Sequence, residues 1–264
     1  MGYIFYGNIC DYFSKKRRSN GKVSVVLNSC VSVTQYREVD PMYKIETHLH
    51  TKHTSKCGWM TAPELIAGYK AAGYDAIIVT DHYNRTTFDY LGVDTTAPGN
   101  KVRPFLEGFY RMAELGEKEG IRVFKGAELR FDESDNDYLM FGYRDDLLAE
   151  PEDIFRMGIA GFSPIARGQG ALLVQAHPYR KKCTPAIACY LDGVETRNRN
   201  PRHENYNHLA EAYAAQFGLL ALAGSDCHRP EDVAVSGILS AELPGDSFAM
   251  ARLIRSGRYT LMDD

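Results

Sequence analysis

The sequence predicts an α/β fold in which short strands alternate with helices and close into a barrel. Two observations carry this prediction. From Lys44 onward, β-rich runs alternate with segments of helical periodicity, which is the pattern of parallel βα units. The β-rich runs also end in side chains of similar chemistry, and a barrel brings many strand ends to one point. We therefore favour a barrel over an open, doubly wound sheet.

The alternating region contains seven predicted strands, near residues 45–50, 75–80, 121–128, 138–142, 171–176, 192–196 and 219–225. The segments between them carry helix signals. Thr61 and Glu64 have the spacing of a capping box, and Gly73 suits the end of the same helix. Three later segments also place their apolar residues on one stripe and end near a glycine.

The first part of the chain does not show this alternation of strand and helix signals. Residues 1–43 are expected to form an N-terminal extension that precedes a main domain over residues 44–264. Within the extension, residues 22–33 alternate apolar with polar side chains, as a half-buried strand does. The sequence therefore predicts an added N-terminal strand or arm.

Composition narrows the class of protein. The 264 residues are 44% hydrophobic and 25% charged, as in an ordinary soluble domain. No apolar run approaches the roughly 18 residues of a membrane span. Six scattered cysteines do not form a disulfide pattern, and no export signal is recognisable. We expect a cytoplasmic protein with no membrane partner, and the net charge of −3 makes a nucleic-acid partner unlikely. Nothing indicates the oligomeric state.

The strongest functional signal is that five predicted strands end in side chains that bind metals. These side chains are His48 and His50, Asp81 and His82, Glu128, His177, and Asp226 and His228. A lone histidine at a strand end is more often structural. However, five of the eight histidines share this position, and the joint pattern favours a metal site. His203 and His208, in a polar segment that enters a helix, are interpreted as surface residues.

The spacing of these residues has a geometric reason. Side chains two positions apart on a strand point the same way, so His48 and His50 can bind one ion. Asp226 and His228 can do the same if the extended conformation persists past the strand. Imidazole and carboxylate together suit Zn²⁺, Mn²⁺ or Fe²⁺, and Glu128 is placed to bridge two ions.

In this order, the motifs resemble those of the PHP family, the polymerase and histidinol phosphatase superfamily of metal-dependent phosphoesterases. The resemblance covers roughly residues 44–262 and depends on THLHT, VTDH, GAE, AHP and GSDCH. It implies a distorted, TIM-like barrel of seven strands, which agrees with the strands counted above. It also implies two or three divalent metal ions. The first would be held by His48, His50, Glu128 and Asp226, the second by Glu128 and His177, and the third by His82 and His228.

The sequence departs from the family pattern at two places. Where the family has a histidine after the glutamate-bearing strand, this chain offers Asp137, whose carboxylate could replace an imidazole. Where the family has Ser-Asp-Gly after the first motif, this chain has Cys57 before Gly58. A Cys57 thiolate could bind the third ion and would favour a softer metal, while His53 is a weaker candidate ligand.

The resemblance and the residues together suggest a hydrolase that cleaves the phosphate monoester of a small metabolite. A hydroxide bridging the ions would attack phosphorus, and His228 or a metal-bound water would protonate the leaving group. Arg180 is favoured over Arg130 and Arg197 as the phosphate-binding arginine, because it follows the AHP motif closely. The alternatives are a phosphodiesterase or exonuclease and a non-catalytic, metal-binding regulatory domain. Histidinol phosphate, a nucleotide and a sugar phosphate are all compatible substrates.

Overall fold

The computed structural model describes residues 17–19, 22–24 and 42–262. The chain divides into two units, residues 1–39 and residues 40–264. In the first unit, β1 (Arg17–Ser19) pairs antiparallel with β2 (Lys22–Ser24). The strand predicted over residues 22–33 thus begins as β2. Its remaining residues, like most of the predicted extension, lie outside the described part of the chain.

A mixed sheet of ten strands forms the framework of the second unit. Its strands are β3 (Tyr43–Glu46), β4 (Ala76–Val79), β5 (His82–Tyr83), β6 (Arg122–Arg130), β7 (Asp137–Phe141), β8 (Leu172–Gln175), β9 (Gly193–Asn198), β10 (Leu220–Gly224), β11 (Ile238–Ser240) and β12 (Thr260–Leu261). They follow the order β10-β9-β8-β7-β6-β4-β3-β11-β12, and β5 pairs with β6. The sheet therefore follows chain order from β3 to β10, except for β5.

The two ends of this run of strands meet just beyond β3 and β10. Leu49 forms an isolated parallel bridge with Cys227. The backbone nitrogen of His50 donates to the Cys227 carbonyl at 2.9 Å, and the Cys227 nitrogen donates to the His48 carbonyl at 3.2 Å. The sheet is thus a nearly closed barrel. Each predicted run contains a strand, but β5, β11 and β12 also join the sheet, so the predicted number of seven is not confirmed.

The prediction that all strands run parallel is wrong. β7 pairs antiparallel with both β6 and β8. Only residues 131–136 connect β6 to β7, whereas a parallel crossover needs about a dozen residues or more. Because β7 is reversed, its first residue, Asp137, lies opposite Arg130 at the end of β6. A residue at the start of a strand thereby reaches the same end of the barrel as the residues that finish β6.

Seven α-helices accompany the strands in the described residues. They are α1 (Ala62–Ala71), α2 (Arg85–Leu91), α3 (Val102–Phe105), α4 (Glu107–Glu119), α5 (Pro151–Gly168), α6 (Asn207–Phe217) and α7 (Ser247–Ser256). The predicted capping box begins α1, where the Thr61 nitrogen donates to Glu64 Oε2 at 2.8 Å. Within the described ranges, no helix combines the length and the apolar character that crossing a membrane requires.

The barrel strands are buried on both faces, because alternate side chains enter different cores. In β4, Ile78 packs with Leu139 in one apolar cluster, while Ile77 packs with Tyr69 of α1 in another. In β8 all four residues are buried, so the strand is an uninterrupted apolar run apart from its last residue. Helices therefore cover the outside of the barrel, and its carboxyl end is left for polar side chains.

Candidate metal centre

Glu128 is the centre of a buried polar cluster at one end of the barrel. It lies near the end of β6 and is fully buried. Its Oε1 is 3.4 Å from His48 Nε2 and 3.2 Å from His177 Nε2. Its Oε2 is 3.2 Å from His50 Nε2 and 2.8 Å from His82 Nδ1. The register of the sheet explains the last contact, because His82 of β5 is paired with Glu128.

Asp226 brings the other side of the cluster together. Its Oδ1 lies 3.4 Å from His48 Nε2 and 3.3 Å from both His50 Nε2 and His228 Nδ1. The expected extended conformation does not persist, because Asp226 has φ +50° and β10 already ends at Gly224. His177 also has a positive φ, +29°. Such backbone costs energy for residues other than glycine, and strained positions of this kind concentrate at functional sites.

The metal-binding atoms of this cluster face one another, and two of them lack a hydrogen bond of good geometry in the described part of the chain. His82 Nδ1 and Glu128 Oε2 are buried and lie 2.8 Å apart, but neither makes a hydrogen bond of good geometry with any described residue. His48 Nδ1 lies 2.9 Å from Glu195 Oε1, so the Nδ1 proton points to that carboxylate and Nε2 is the ring nitrogen that faces the cluster. His48 Nε2 lies 3.1 Å from His50 Nε2. Imidazole nitrogens and carboxylate oxygens that converge in one buried site are the ligand set that divalent metal ions prefer, so these residues fit such ions.

The candidate ligands form four overlapping groups, in each of which the ligand atoms lie within 4.8 Å of one another. The groups are His48–His50–Asp226, His48–Glu128–His177, His82–Glu128–Asp137 and His50–His82–His228. Glu128 belongs to two of them. The arrangement can accommodate more than one ion, with Glu128 between the positions.

The electrostatics of the cluster keep its two central carboxylates ionised and one of its histidines neutral. Burial raises the pKa of Glu128, but the imidazoles of His82 and His48 outweigh it and hold the pKa well below its ordinary value. His48 and His228 do the same for the pKa of Asp226, against the effect of burial. Burial lowers the pKa of His50, and the neighbouring imidazoles lower it further. Carboxylates that stay ionised and a histidine that stays neutral are competent ligands.

The two residues that depart from the family pattern both lie at the cluster. Asp137 Oδ2 is 3.9 Å from His177 Nε2, and its carboxylate also accepts from the Arg130 guanidinium, with 2.8 Å between Nε and Oδ1. Cys57 belongs to none of the four groups, but its thiol faces the imidazoles of His82 and His228. Burial raises the pKa of the Cys57 thiol, yet these imidazoles outweigh it and lower the pKa to about 6.

The three candidate arginines have carboxylate partners. Arg180 reaches the cluster, where its Nη2 donates to Asp226 Oδ2 at 2.7 Å instead of pointing away to solvent. Arg130 binds Asp137. Arg197 contacts Glu211, with 3.2 Å between Nε and Oε1.

The histidines outside the five lie elsewhere. His53 Nε2 accepts from the backbone nitrogen of Ala62 at 3.1 Å, at the start of α1. His203 and His208 are exposed, as predicted.

Asp81, which the sequence placed among the strand-end residues, holds a loop in place and is not one of the grouped metal ligands. Its Oδ1 accepts from the Thr51 nitrogen and from Ser55 Oγ, each at 2.7 Å. These contacts hold the loop that carries Cys57. Asp81 therefore organises the edge of the cluster and belongs to none of the four groups.

Sequence reasoning missed two buried glutamates. Glu46 of β3 accepts from the backbone nitrogens of His48 at 2.9 Å and Ser225 at 3.0 Å, which ties β3 to β10. Glu195 of β9 contacts His48 Nδ1 and accepts from the His177 nitrogen at 3.0 Å. The signal was available, because each is an acidic residue inside a strand that must be buried on both faces.

A cleft of about 410 Å³ opens beside the cluster. Its walls are Lys56, Cys57, His82, Asn84, Thr86, Thr87 and Arg130. The side chains of His82 and His228 are 16% and 14% exposed, whereas those of His48, His50 and His177 are 4% exposed or less. A molecule entering from solvent therefore meets the cluster on the side of His82 and His228.

Comparison with known proteins identifies the family of this arrangement. The PHP domain model matches residues 46–240. None of the curated proteins is significantly similar to the sequence.

Several solved structures share the fold. A two-domain protein from Bacteroides vulgatus, which contains a predicted PHP-like metal-dependent phosphoesterase, is 17% identical with a TM-score of 0.59. The match covers 84% of this chain and 65% of that one, so this chain spans less than two thirds of that protein. PsfC from Pseudomonas syringae is 18% identical with a TM-score of 0.58, over 84% of this chain and 92% of that one. An amidohydrolase from Chromobacterium violaceum is 17% identical with a TM-score of 0.51, over 84% and 99%.

Proposed function

The chain belongs to the PHP domain family, and on that premise we propose that it is a metal-dependent hydrolase that cleaves the phosphate monoester of a small metabolite. The observation that carries the proposal is the convergence of five imidazoles and the carboxylates of Glu128 and Asp226 at one end of the barrel. Such a cluster places many buried metal-binding atoms within a few ångströms of one another. A binding site for several cations accounts for it, and a purely structural polar core does not.

The ligand groups suggest how the ions would be shared. The ligands of the first ion would be His48, His50, Glu128 and Asp226. The second ion would be bound by Glu128, His177 and Asp137. The third ion would be bound by His82, His228 and Cys57. Bound there, the ions would supply positive charge for the phosphoryl oxygens and make a water acidic near neutral pH. The protein would then need no serine or cysteine nucleophile.

His228 is the residue that we assign to proton transfer. Its Nδ1 lies 2.8 Å from the backbone oxygen of Asp226, which places the proton on that nitrogen and turns Nε2 away from Asp226. Nε2 can hold an ion or carry a proton for the leaving group, but not both at once. We therefore propose that His228 acts as the acid when the third ion is absent.

The cleft supports a small substrate. A volume of about 410 Å³ lies in the range of small-molecule pockets, which is about 300–1,000 Å³. The cleft also contains two cationic side chains, Lys56 and Arg130, and three uncharged polar ones. Lys56 and Arg130 can contact an anionic group of a bound molecule, although Arg130 also binds Asp137.

The test is to strip the purified protein with a chelator, reload it with Mn²⁺, Zn²⁺ or Fe²⁺, and assay a panel of phosphorylated metabolites and model diesters. We expect hydrolysis only after reloading, and faster hydrolysis of monoesters than of diesters. If diesters alone were cleaved, the enzyme would be a phosphodiesterase. If the ions bound and no ester were cleaved, the site would be regulatory.

A further inference from the structure

The structure assigns a positioning role to three residues behind the metal centre. We propose that Glu195, Asn198 and Arg180 form a buried bridge that fixes the orientations of His48 and Asp226 relative to each other. The inference rests on the proposed function, because it assumes that His48 and Asp226 share an ion. It assigns Arg180 to the protein's own carboxylate instead of to the substrate.

One end of the bridge is Glu195, which lies on β9 and is fully buried. Its Oε1 is 2.9 Å from His48 Nδ1. Its Oε2 accepts from the backbone nitrogen of His177 at 3.0 Å and from Asn198 Nδ2 at 2.8 Å. Three donors therefore converge on one carboxylate. The contact with His48 fixes both the ring orientation and the proton position that leaves Nε2 free to bind.

Asn198 is the middle of the bridge and is 1% exposed. Its Nδ2 donates to Glu195, while its Oδ1 accepts from Arg180 Nη2 at 2.9 Å. A carboxylate can only accept and a guanidinium can only donate, so the amide orientation is unambiguous. An amide is the group that satisfies both neighbours at once. Leucine would satisfy neither of them, and aspartate would satisfy only Arg180.

The other end is the ion pair between Arg180 and Asp226. Arg180 Nη2 lies 2.7 Å from Asp226 Oδ2, and Nε donates to Asn205 Oδ1 at 2.9 Å. Since Oδ2 is held by the guanidinium, Oδ1 is the oxygen that faces His48, His50 and His228. Arg180 thus determines which oxygen of Asp226 is presented to an ion. The hydrogen bonds are continuous from His48 to Asp226.

The experiment measures Zn²⁺ affinity directly, by competition with a chromogenic chelator, on the metal-free protein. The variants are Glu195→Gln, Arg180→Met, their combination, and Asn198→Leu. The matched control is Glu211→Gln, at an exposed position of α6. Each bridge variant should weaken Zn²⁺ binding about 10–100-fold, and Glu211→Gln should leave it unchanged. The double variant should lose less than the product of the two single losses, because either break disconnects the same bridge.

A second readout separates positioning from folding. The visible spectrum of the Co²⁺-loaded protein reports ligand geometry, and we expect it to change in Glu195→Gln while the far-UV circular dichroism of the metal-free variant shows that the fold is retained. If Asn198→Leu does not fold, Asn198→Asp replaces it. This variant keeps the shape of the side chain and should still weaken Zn²⁺ binding, because it cannot donate to Glu195.

The results distinguish this inference from the proposed function. Wild-type protein that bound no divalent ion would overturn the proposed function itself. Wild-type protein that bound Zn²⁺ and hydrolysed esters, together with variants of unchanged affinity and spectrum, would overturn the bridge alone. Fully multiplicative losses in the double variant would show that Glu195 and Arg180 act independently, and this would also overturn it.

Discussion

At the scale of single residues, Glu128 is the position on which the cluster depends most. Its two oxygens contact four imidazoles, and it is buried completely. A carboxylate in this position would be costly to bury without cations nearby. With ions bound, its charge would be shared between two of them. The same geometry therefore accounts for both its pKa and its proposed bridging role.

Glu128→Gln should reduce turnover by at least about a hundredfold, because the loss of a bridging charge weakens two ions together. The side chain keeps its size, so the fold should survive. The measurement is kcat together with metal content by mass spectrometry, with exposed Glu119→Gln as the control. Wild-type turnover with normal metal content would rule out the bridging role.

Cys57 offers a test of the third ion position. Its thiol faces His82 and His228, and its pKa near 6 makes it a thiolate at neutral pH. In metal-free protein we expect iodoacetamide to alkylate Cys57 readily, and saturating Zn²⁺ should slow the reaction about tenfold or more. Mass spectrometry of the labelled peptides measures the rate of alkylation at each cysteine. Cys189, which is exposed and outside the four ligand groups, is the internal control. Equal rates for Cys57 with and without Zn²⁺ would remove it from the ligand set.

At the scale of elements, the closure between β3 and β10 positions the two ends of the cluster. His48 follows β3, and Gly224 ends β10. A Cβ at residue 224 would lie 2.6 Å from His48 Cβ and 2.9 Å from Glu195 Oε1. Residue 224 must therefore be glycine, because side chains approach it closely where β3 and β10 close the barrel. The glycine of the GSD motif is thus explained by packing, because there is no room for a larger side chain.

Gly224→Ala should destabilise the protein by about 1–3 kcal/mol, because the added methyl group overpacks the fully buried closure between β3 and β10. It should also weaken metal binding, since His48 and Glu195 must move. Denaturant unfolding and chelator competition measure the two effects. Gly168→Ala is the matched control, because no atom lies within 4 Å of a Cβ added there. An unchanged midpoint of unfolding in Gly224→Ala would contradict the packing argument.

The elements also show what the sequence could predict. The alternating runs located every strand between β3 and β10 except the two-residue β5, because burial on both faces leaves an apolar signature. The direction of β7 was predicted wrongly, since periodicity carries no information on strand direction. Five histidines were found from their positions after strands. Glu46 and Glu195 were missed although an acidic residue inside a buried strand is a signal, because they lie inside the predicted strands and not at the strand ends from which ligands were sought. The role of Arg180 depends on a hydrogen-bond network that no local motif records.

At the scale of the whole molecule, the cluster is a concentration of charge inside the barrel. Glu128, Asp137, Glu195 and Asp226 are all buried within it. Burial lowers the pKa of His48, but Glu195 and Asp226 outweigh it and raise the pKa well above the ordinary value. Protons on histidine thus partly neutralise the site when no ion is present. Metal binding should release them, so the affinity for ions should fall as the pH is lowered.

The stability of the folded protein should therefore depend on divalent ions. An ion that binds the native state alone stabilises it by about 2.7 kcal/mol at a hundred times its dissociation constant. For a domain of this size, that corresponds to a rise in Tm of about 5–10 °C. Calorimetry of chelator-treated protein, titrated with Zn²⁺ or Mn²⁺, measures it. Glu128→Gln should show a much smaller rise, because its ligand groups are incomplete, while K⁺ at equal ionic strength controls for screening. If the Tm of the wild type did not change at millimolar concentrations of either ion, the converging side chains would not form a metal site.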